Sequence, residues 1–294
     1  MTTTETLFDV SEPIAPFKTQ LLKWIGNKQR FAHEIASYFP QDVGTYFEPF
    51  VGSGAVLGTY APVRGFASDA LGPLAEIWTT LSEDPELLKE WYAERRNLVD
   101  PEFTNKSEVY EKVKASYNFT PNGADLLYIC RSCYGGVVRF RKADHYLSTP
   151  CGVHKPVSSE SFSKRVDTWS ERVKGTKFAH LDYREAMQSA VAGDLVYCDP
   201  PYTDTQAILY GAQQFLLEDL FTEIDRCKSR GVRVALSIDG TKKSGLKSVV
   251  NAAPDGLFVS EVMVNCGRSM LRRFQMSGQT LESEVVADRL LLTY

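Results

Sequence analysis

The sequence predicts a doubly wound α/β sheet interrupted by one long, mainly helical insertion. The apolar runs "DLVYCDPPY" and "RVALSIDG" are bounded by turn residues and have the composition of strands buried on both faces, as in a parallel sheet. Between them, "QQFLLEDLFTEIDRCKSRG" has helical periodicity and a glycine stop at Gly231. Strand, helix, strand in that order marks a doubly wound sheet, whose ligands lie beyond the carboxyl ends of the strands.

The earlier elements fit the same plan. "GTYFEPFVGSGAVLGTYA" reads as a short strand, a glycine turn and a helix start, and "GFASDALGPLAEIWTTL" as a strand ending at Asp69 followed by a helix. Glu48, Asp69, Asp199 and Asp239 all fall at expected strand ends, which puts four acids on one rim. From about Glu76 to Lys174 the alternation stops. Amphipathic helical stretches ("PELLKEWYAERRNLV", "SEVYEKVKASYNF") lead into the basic, aromatic "CYGGVVRFRKADHYLSTPCGVHKP". The expected division is a flexible leader over 1–20, a sheet domain over 21–75 and 175–294, and an insertion over 76–174.

Composition narrows the function classes. The 294 residues, with 43% hydrophobic and 24% charged, are ordinary for a soluble globular chain. "MTTTETLFDVSEPIAPFKTQ" lacks the basic start and apolar run of a signal peptide, and no apolar run is long enough to cross a bilayer. With six scattered cysteines, the expected setting is the cytoplasm. Cys130 and Cys133 form one C-x-x-C without a second ligand pair, so the reading is two buried or half-buried thiols and no metal. The net charge of −4 argues against a general nucleic-acid binder. Between Tyr128 and Lys177, however, ten Lys/Arg face four Asp/Glu, a local +6 on a remainder of −10. Such a segment is either a solvated face or a surface for a phosphate backbone.

Three stretches carry chemistry. In "FEPFVGSGAV", Gly52 and Gly54 permit a sharp turn close to a ligand, and Asp69 after the second strand has the place of a ribose-binding acid. No Lys-Ser/Thr follows the glycines, which argues against a nucleoside triphosphate. "LLKWIGNKQRF" offers the Trp24 ring, a turn at Gly26 and the cations Lys23 and Lys28; on the string alone it reads as a surface turn with solvated lysines. In "YCDPPY", Asp199 precedes a proline and is held extended, while Pro200 and Pro201 have no N–H and fixed φ. The Asp199 carboxylate and the Pro200 carbonyl are two acceptors for an amino group, and Tyr202 is a stacking face. Acceptors on both hydrogens localise the lone pair of a nucleobase amine, which then attacks an electrophilic methyl in line. A base must leave the helix to reach such a pocket.

The chain resembles the Dam-like, D12-class adenine-specific DNA methyltransferases of the alpha group. The likeness rests on "KWIGNK", "FEPFVGSG", "SDALGPL", "YCDPPY" and "NCGRSMLRRFQMSGQTLESEVVADRLLLTY", in that order, with the insertion between the glycine motif and "DPPY". It implies a Rossmann-like methyltransferase sheet carrying an inserted, mainly helical target-recognition domain. It also implies methyl transfer from S-adenosylmethionine to N6 of adenine in double-stranded DNA by base flipping. Trp24, Lys28, Glu48, Phe50, Gly52, Gly54, Asp69, Asp182 and Asp199 match cofactor positions. Asp199, Pro200, Pro201 and Tyr202 match the catalytic motif. Lys23, Arg139, Arg141, Lys142, Lys155 and Arg268 are the expected DNA contacts. The partner is double-stranded DNA, the oligomeric expectation is a monomer or weak dimer, and an accompanying restriction endonuclease is left open.

Departures limit what is carried over. Gly135 and Arg141 stand where the family has asparagines, and Arg139 to Pro150 is a residue longer than in the GATC-specific members, so GATC is not assigned as the target. Leu71 replaces the usual asparagine after Asp69. Two alternatives remain: an inactive methyltransferase-fold DNA-binding regulator, and amino methylation of cytosine or RNA. Intact "DPPY" and glycine motifs argue against the first. Cytosine amino methyltransferases usually carry serine where Asp199 stands, and the recognition insertion disfavours RNA.

Overall fold

The computed structural model describes residues 14–24, 26–201, 215–239, 253–267 and 286–294. Its strands are β1 (Tyr46–Glu48), β2 (Gly65–Asp69), β3 (Thr176–His180), β4 (Leu195–Cys198), β5 (Arg233–Asp239), β6 (Ser260–Gly267) and β7 (Val286–Leu292). They form one sheet in the order β3-β2-β1-β4-β5-β7-β6. The first five strands are mutually parallel, and β7 enters antiparallel to both β5 and β6. This is the Rossmann-like, doubly wound sheet that the strand–helix alternation predicts. Glu48, Asp69 and Asp239 close their strands and Asp199 follows β4, so the backbone brings all four acids to one rim.

Side chains alternate across the sheet with the period of two that a pleated strand imposes. Tyr46, Leu195, Tyr197, Ala235, Leu290 and Leu292 enter one core, while Phe47, Val196, Cys198, Val234, Leu236 and Leu291 enter the other. The second core is closed by α9 (Leu217–Ser229), whose Leu217, Leu220, Phe221, Ile224 and Cys227 fall on one helical face. The first core is closed by α1 (Ala32–Ser37), α2 (Ala55–Tyr60) and α3 (Gly72–Glu83), and runs on without a break into the inserted helices α4 (Pro85–Arg96), α5 (Lys106–Phe119), α6 (Gly123–Ser132) and α7 (Ser159–Arg172). The expected boundary at residue 76 falls inside α3, which packs on β2 and β3 as well as on α4 and α6.

Every residue of α6 is buried, and α3, α4 and α5 pack around it. Its charged Asp125 is satisfied by Arg95 Nε at 2.7 Å. The insertion is pinned to the sheet domain by α7: Trp169 packs on Trp78 with ring centroids 5.2 Å apart, and Arg172 donates to the carbonyls of Gly58 (2.7 Å) and Thr59 (3.1 Å). Residues 17–20 lie in the expected leader yet are held. Phe17 meets the Trp169 ring, Trp169 Nε1 donates to Thr19 O, and Arg131 and Arg165 donate to Gln20 O. The segment preceding Lys23 is thereby clamped between insertion and sheet. Cys130 and Cys133 are buried free thiols, both pushed up by burial, Cys133 to about 12.

Candidate active site

The glycine turn follows β1 and is tied to β2. Val51 N–H donates to Ser68 O at 3.0 Å, and Gly54 N–H to Val51 O at 2.6 Å. Gly52 (φ +46) and Gly54 (φ +65) occupy the left-handed region, where a side chain is strained. A Cβ on Gly54 would lie 2.7 Å from the Trp78 ring, and one on Gly52 3.4 Å from Trp24 Nε1. Trp78 Nε1 also donates to Gly52 O at 3.0 Å. Asp69 accepts from Gly52 N–H (3.1 Å) and Leu71 N–H (3.0 Å), so the second acid and the turn move as one piece. Burial pushes the Asp69 carboxyl up, against the pull of those backbone donors.

Beside the turn lies a buried polar row. Lys28 is 4% exposed, and its ammonium contacts Asp199 at 3.1 Å and Asp288 at 2.9 Å. Burial alone would lower the Lys28 ammonium, but Asp199 and Asp288 outweigh it and hold it well above the ordinary lysine range. The surface-turn reading of "LLKWIGNKQRF" is therefore corrected at Lys28: a buried charge is retained because two carboxylates pair with it. Glu48 is 3% exposed and accepts from Tyr46 Oη at 2.5 Å. Burial raises its carboxyl to about 8; the Tyr46 bond opposes this and the nearby Asp199 charge adds to it. At neutral pH, Glu48 is thus mainly protonated. Tyr197 Oη and Ser237 Oγ lie 2.9 Å apart within hydrogen-bond reach.

A flat apolar slot adjoins the row. Phe50 and Tyr183 stack with centroids 5.1 Å apart at 26°, and Phe215 meets both edge-on at 5.8 Å. Asp182 caps α8 (Tyr183–Gln188), accepting from Arg184 N–H at 2.9 Å, in a capping box with Glu185. One of its oxygens is thus committed to the helix, and the carboxylate still borders the slot. One cleft of about 1010 Å³ is lined by Trp24, Lys28, Glu48, Phe50, Gly52, Asp69, Asp182, Asp199, Pro200 and Pro201, while Gly54 and Asp288 stand behind its wall and do not line it.

The inserted segment forms the far wall. Phe140 and Leu147 pair antiparallel, giving a hairpin whose tip residues Lys142, Asp144, His145 and Tyr146 line the cleft with Tyr117, Asn118 and Pro121. Asn118 anchors the hairpin, donating to Leu147 O (3.1 Å) and accepting from Leu147 N–H (2.7 Å). Of the expected DNA contacts among the described residues, Lys142 alone lines the cleft. Arg139 is exposed on the hairpin stem. Arg141 is held by Asp144 (Nε–Oδ1 3.0 Å), with its guanidinium 4.3 Å from the Tyr146 ring centroid. Lys155 sits over the Phe103 ring at 4.4 Å. The backbone of Lys23 packs against Gly136, and burial, with Arg131 nearby, lowers its ammonium. Tyr202 and Arg268 lie outside the described residues.

Asp288 is a site residue that the sequence reading missed, as are Tyr183 and Phe215 of the aromatic slot. Parallel strands bring acids to the rim at their carboxyl ends, whereas an antiparallel strand begins at that same rim. The signal for Asp288 was the "AD" that opens the final apolar run. Among the described residues, no group of three or more His, Cys, Asp or Glu could hold a metal ion, and no helix is long and apolar enough to cross a membrane.

The fold and this acidic cleft belong to a Rossmann-like methyltransferase. The chain is a member of the D12 class N6 adenine-specific DNA methyltransferase family, whose model matches residues 24–260. It is similar to the type II methyltransferase M1.LlaDCHI of Lactococcus lactis subsp. cremoris, 26% identical over 235 residues covering 73% of this chain and 79% of the relative. It is also similar to a DNA adenine methylase of Vibrio cholerae, 26% identical over 229 residues (74% and 79%), and to the retron Ec67 DNA adenine methylase of Escherichia coli, 27% identical over 192 residues (63% and 64%). The protein is thus an adenine-specific DNA methyltransferase.

Proposed function

We propose that the cleft binds S-adenosylmethionine beside an adenine flipped out of double-stranded DNA, and that the Asp199 rim directs methyl transfer to N6. The observation that carries this reading is that Asp199, fixed by Lys28 at the end of β4, shares one cleft with the Gly52–Gly54 turn, Asp69 and the Phe50–Tyr183 slot. The residues suit such a cofactor. Left-handed glycines let the backbone approach it, Asp69 keeps lone pairs for ribose hydroxyls, and the aromatic slot takes a purine. The carboxylates of Asp69, Asp182 and Asp199 favour a cationic centre over a polyphosphate, and the protonated Glu48 adds no positive charge against it.

When bound, the cofactor supplies an electrophilic methyl on a sulfonium. The Asp199 carboxylate and the Pro200 carbonyl accept the two N6 hydrogens, which localises the nitrogen lone pair for in-line attack. One N6 proton is lost as the N–CH3 bond forms and the S–CH3 bond breaks, and Asp199 is the acceptor placed to take it. Pro201 stiffens the turn. In this reading Tyr202 stacks on the base, and Lys23, Arg139, Arg141, Lys142, Lys155 and Arg268 are phosphate or base contacts. The insertion over 76–174 is then the target-recognition unit.

Asp199→Ala tests the reading. Incorporation of tritiated methyl into unmethylated genomic DNA should fall below detection while DNA binding in a gel-shift assay stays within about threefold. Methyl incorporation surviving in that variant sinks the proposed role of Asp199.

A further inference from the structure

Asp288 has no place in the mechanism above, yet it makes the shorter of the two carboxylate contacts to Lys28, 2.9 Å against 3.1 Å for Asp199. It is 260 residues away from Lys28 in the chain. The fold explains the meeting. β7 is inserted antiparallel between β5 and β6, with Asp288 opposite Asp239, so the start of β7 lies at the rim where the parallel strands end. Along β7, alternation puts Asp288 on the face of Leu290 and Leu292, which shares a core with Leu21, Leu22 and α1. The segment leading to Lys28 lies over that face. Arg289, on the other face, pairs with Glu261 of β6 at 2.7 Å and holds the register.

An ammonium has donors and no acceptor, and in a buried site it turns all of them toward available carboxylates. Paired with Asp199 alone, Lys28 would cancel the charge on the very group that must accept the adenine amine. Among the described residues, the two carboxylates and one ammonium of this cluster sum to one negative charge. We propose that Asp288 is a positioning residue for methyl transfer: it draws the Lys28 ammonium away from Asp199, so that Asp199 stays oriented and keeps an anionic acceptor for the N6 hydrogens. This rests on the reading of Asp199 given above.

The test compares single-turnover methyl transfer to unmethylated genomic DNA, cofactor dissociation constants and melting temperatures for three variants. Asp288→Asn and Asp288→Ser should each lower the single-turnover rate about tenfold or more, with the cofactor constant within about threefold of the parent, and Asp288→Glu should restore most of the rate. Either neutral variant that folds decides the point. A neutral variant with a rate within about twofold of the parent overturns the proposal. So does a Glu variant that melts like the parent but stays as slow as Asn, because the charge would then not be what matters. An active Asp199→Ala would bring down the reading of Asp199 itself. An inactive Asp199→Ala beside a fully active Asp288→Asn would bring down the role of Asp288 alone.

Discussion

Glu48→Gln is the perturbation whose magnitude the structure sets most directly. The Glu48 carboxyl is raised from the usual 4.5 to about 8, first by burial, against the Tyr46 hydrogen bond and with the help of the Asp199 charge. The raised group is an acid, so the folded protein holds a proton that the unfolded chain has already lost. Between 4.5 and 8 the native state binds more protons than the unfolded state, and stability falls as pH rises; above about 8 the loss is complete. At about 1.4 kcal/mol per pH unit, moving from pH 6.5 to pH 9 costs about 2 kcal/mol through this one group. Glutamine keeps an acceptor for Tyr46 Oη and has nothing to ionise. The assay is urea unfolding without cofactor at pH 6.5 and pH 9, on parent and variant. The parent should lose about 2 kcal/mol more than Glu48→Gln over that interval, equivalent to a few degrees in melting temperature. Parallel pH dependence in the two proteins would refute the assignment of a neutral Glu48.

Two further substitutions probe the turn and the far wall. Gly54→Ala places a Cβ 2.7 Å from the Trp78 ring at φ +65, so it should destabilise the fold by about 2–3 kcal/mol and weaken cofactor binding, read by melting and by calorimetric titration. Arg139→Ala removes an exposed charge on the hairpin stem. It should relax the methylated sequence motif, read by modification-aware sequencing, while the melting temperature stays within about 2 °C of the parent.

Much of the sheet domain was legible because its signals are local. Apolar runs marked β4 and β5, the Leu217–Cys227 periodicity marked α9, and glycines marked the turn at Gly52 and Gly54. Acids at the ends of apolar runs marked the rim, since parallel strands all end on one side. Other elements carry no such local mark. β3, in "TKFAH", is short and half-exposed, and α6, in "GADLLYICRS", is a short helix whose polar residues are buried along with its apolar ones, which no local pattern announces. β6 and β7 meet across a break of undescribed residues, and their pairing is a long-range fact.

The alternating sheet, the glycine turn, the order of the motifs and four of the acids on the rim (Glu48, Asp69, Asp199 and Asp239) are each written in a short window of residue types. Long-range packing decides that Lys28 is buried instead of solvated, that Asp288 meets it across 260 residues of chain, and that Lys142, among the described members of the expected DNA contacts, lines the cleft. The reason is physical. Charge pairing and burial depend on which distant segments share a core face, and a period of two or of 3.6 specifies a face without naming its partner.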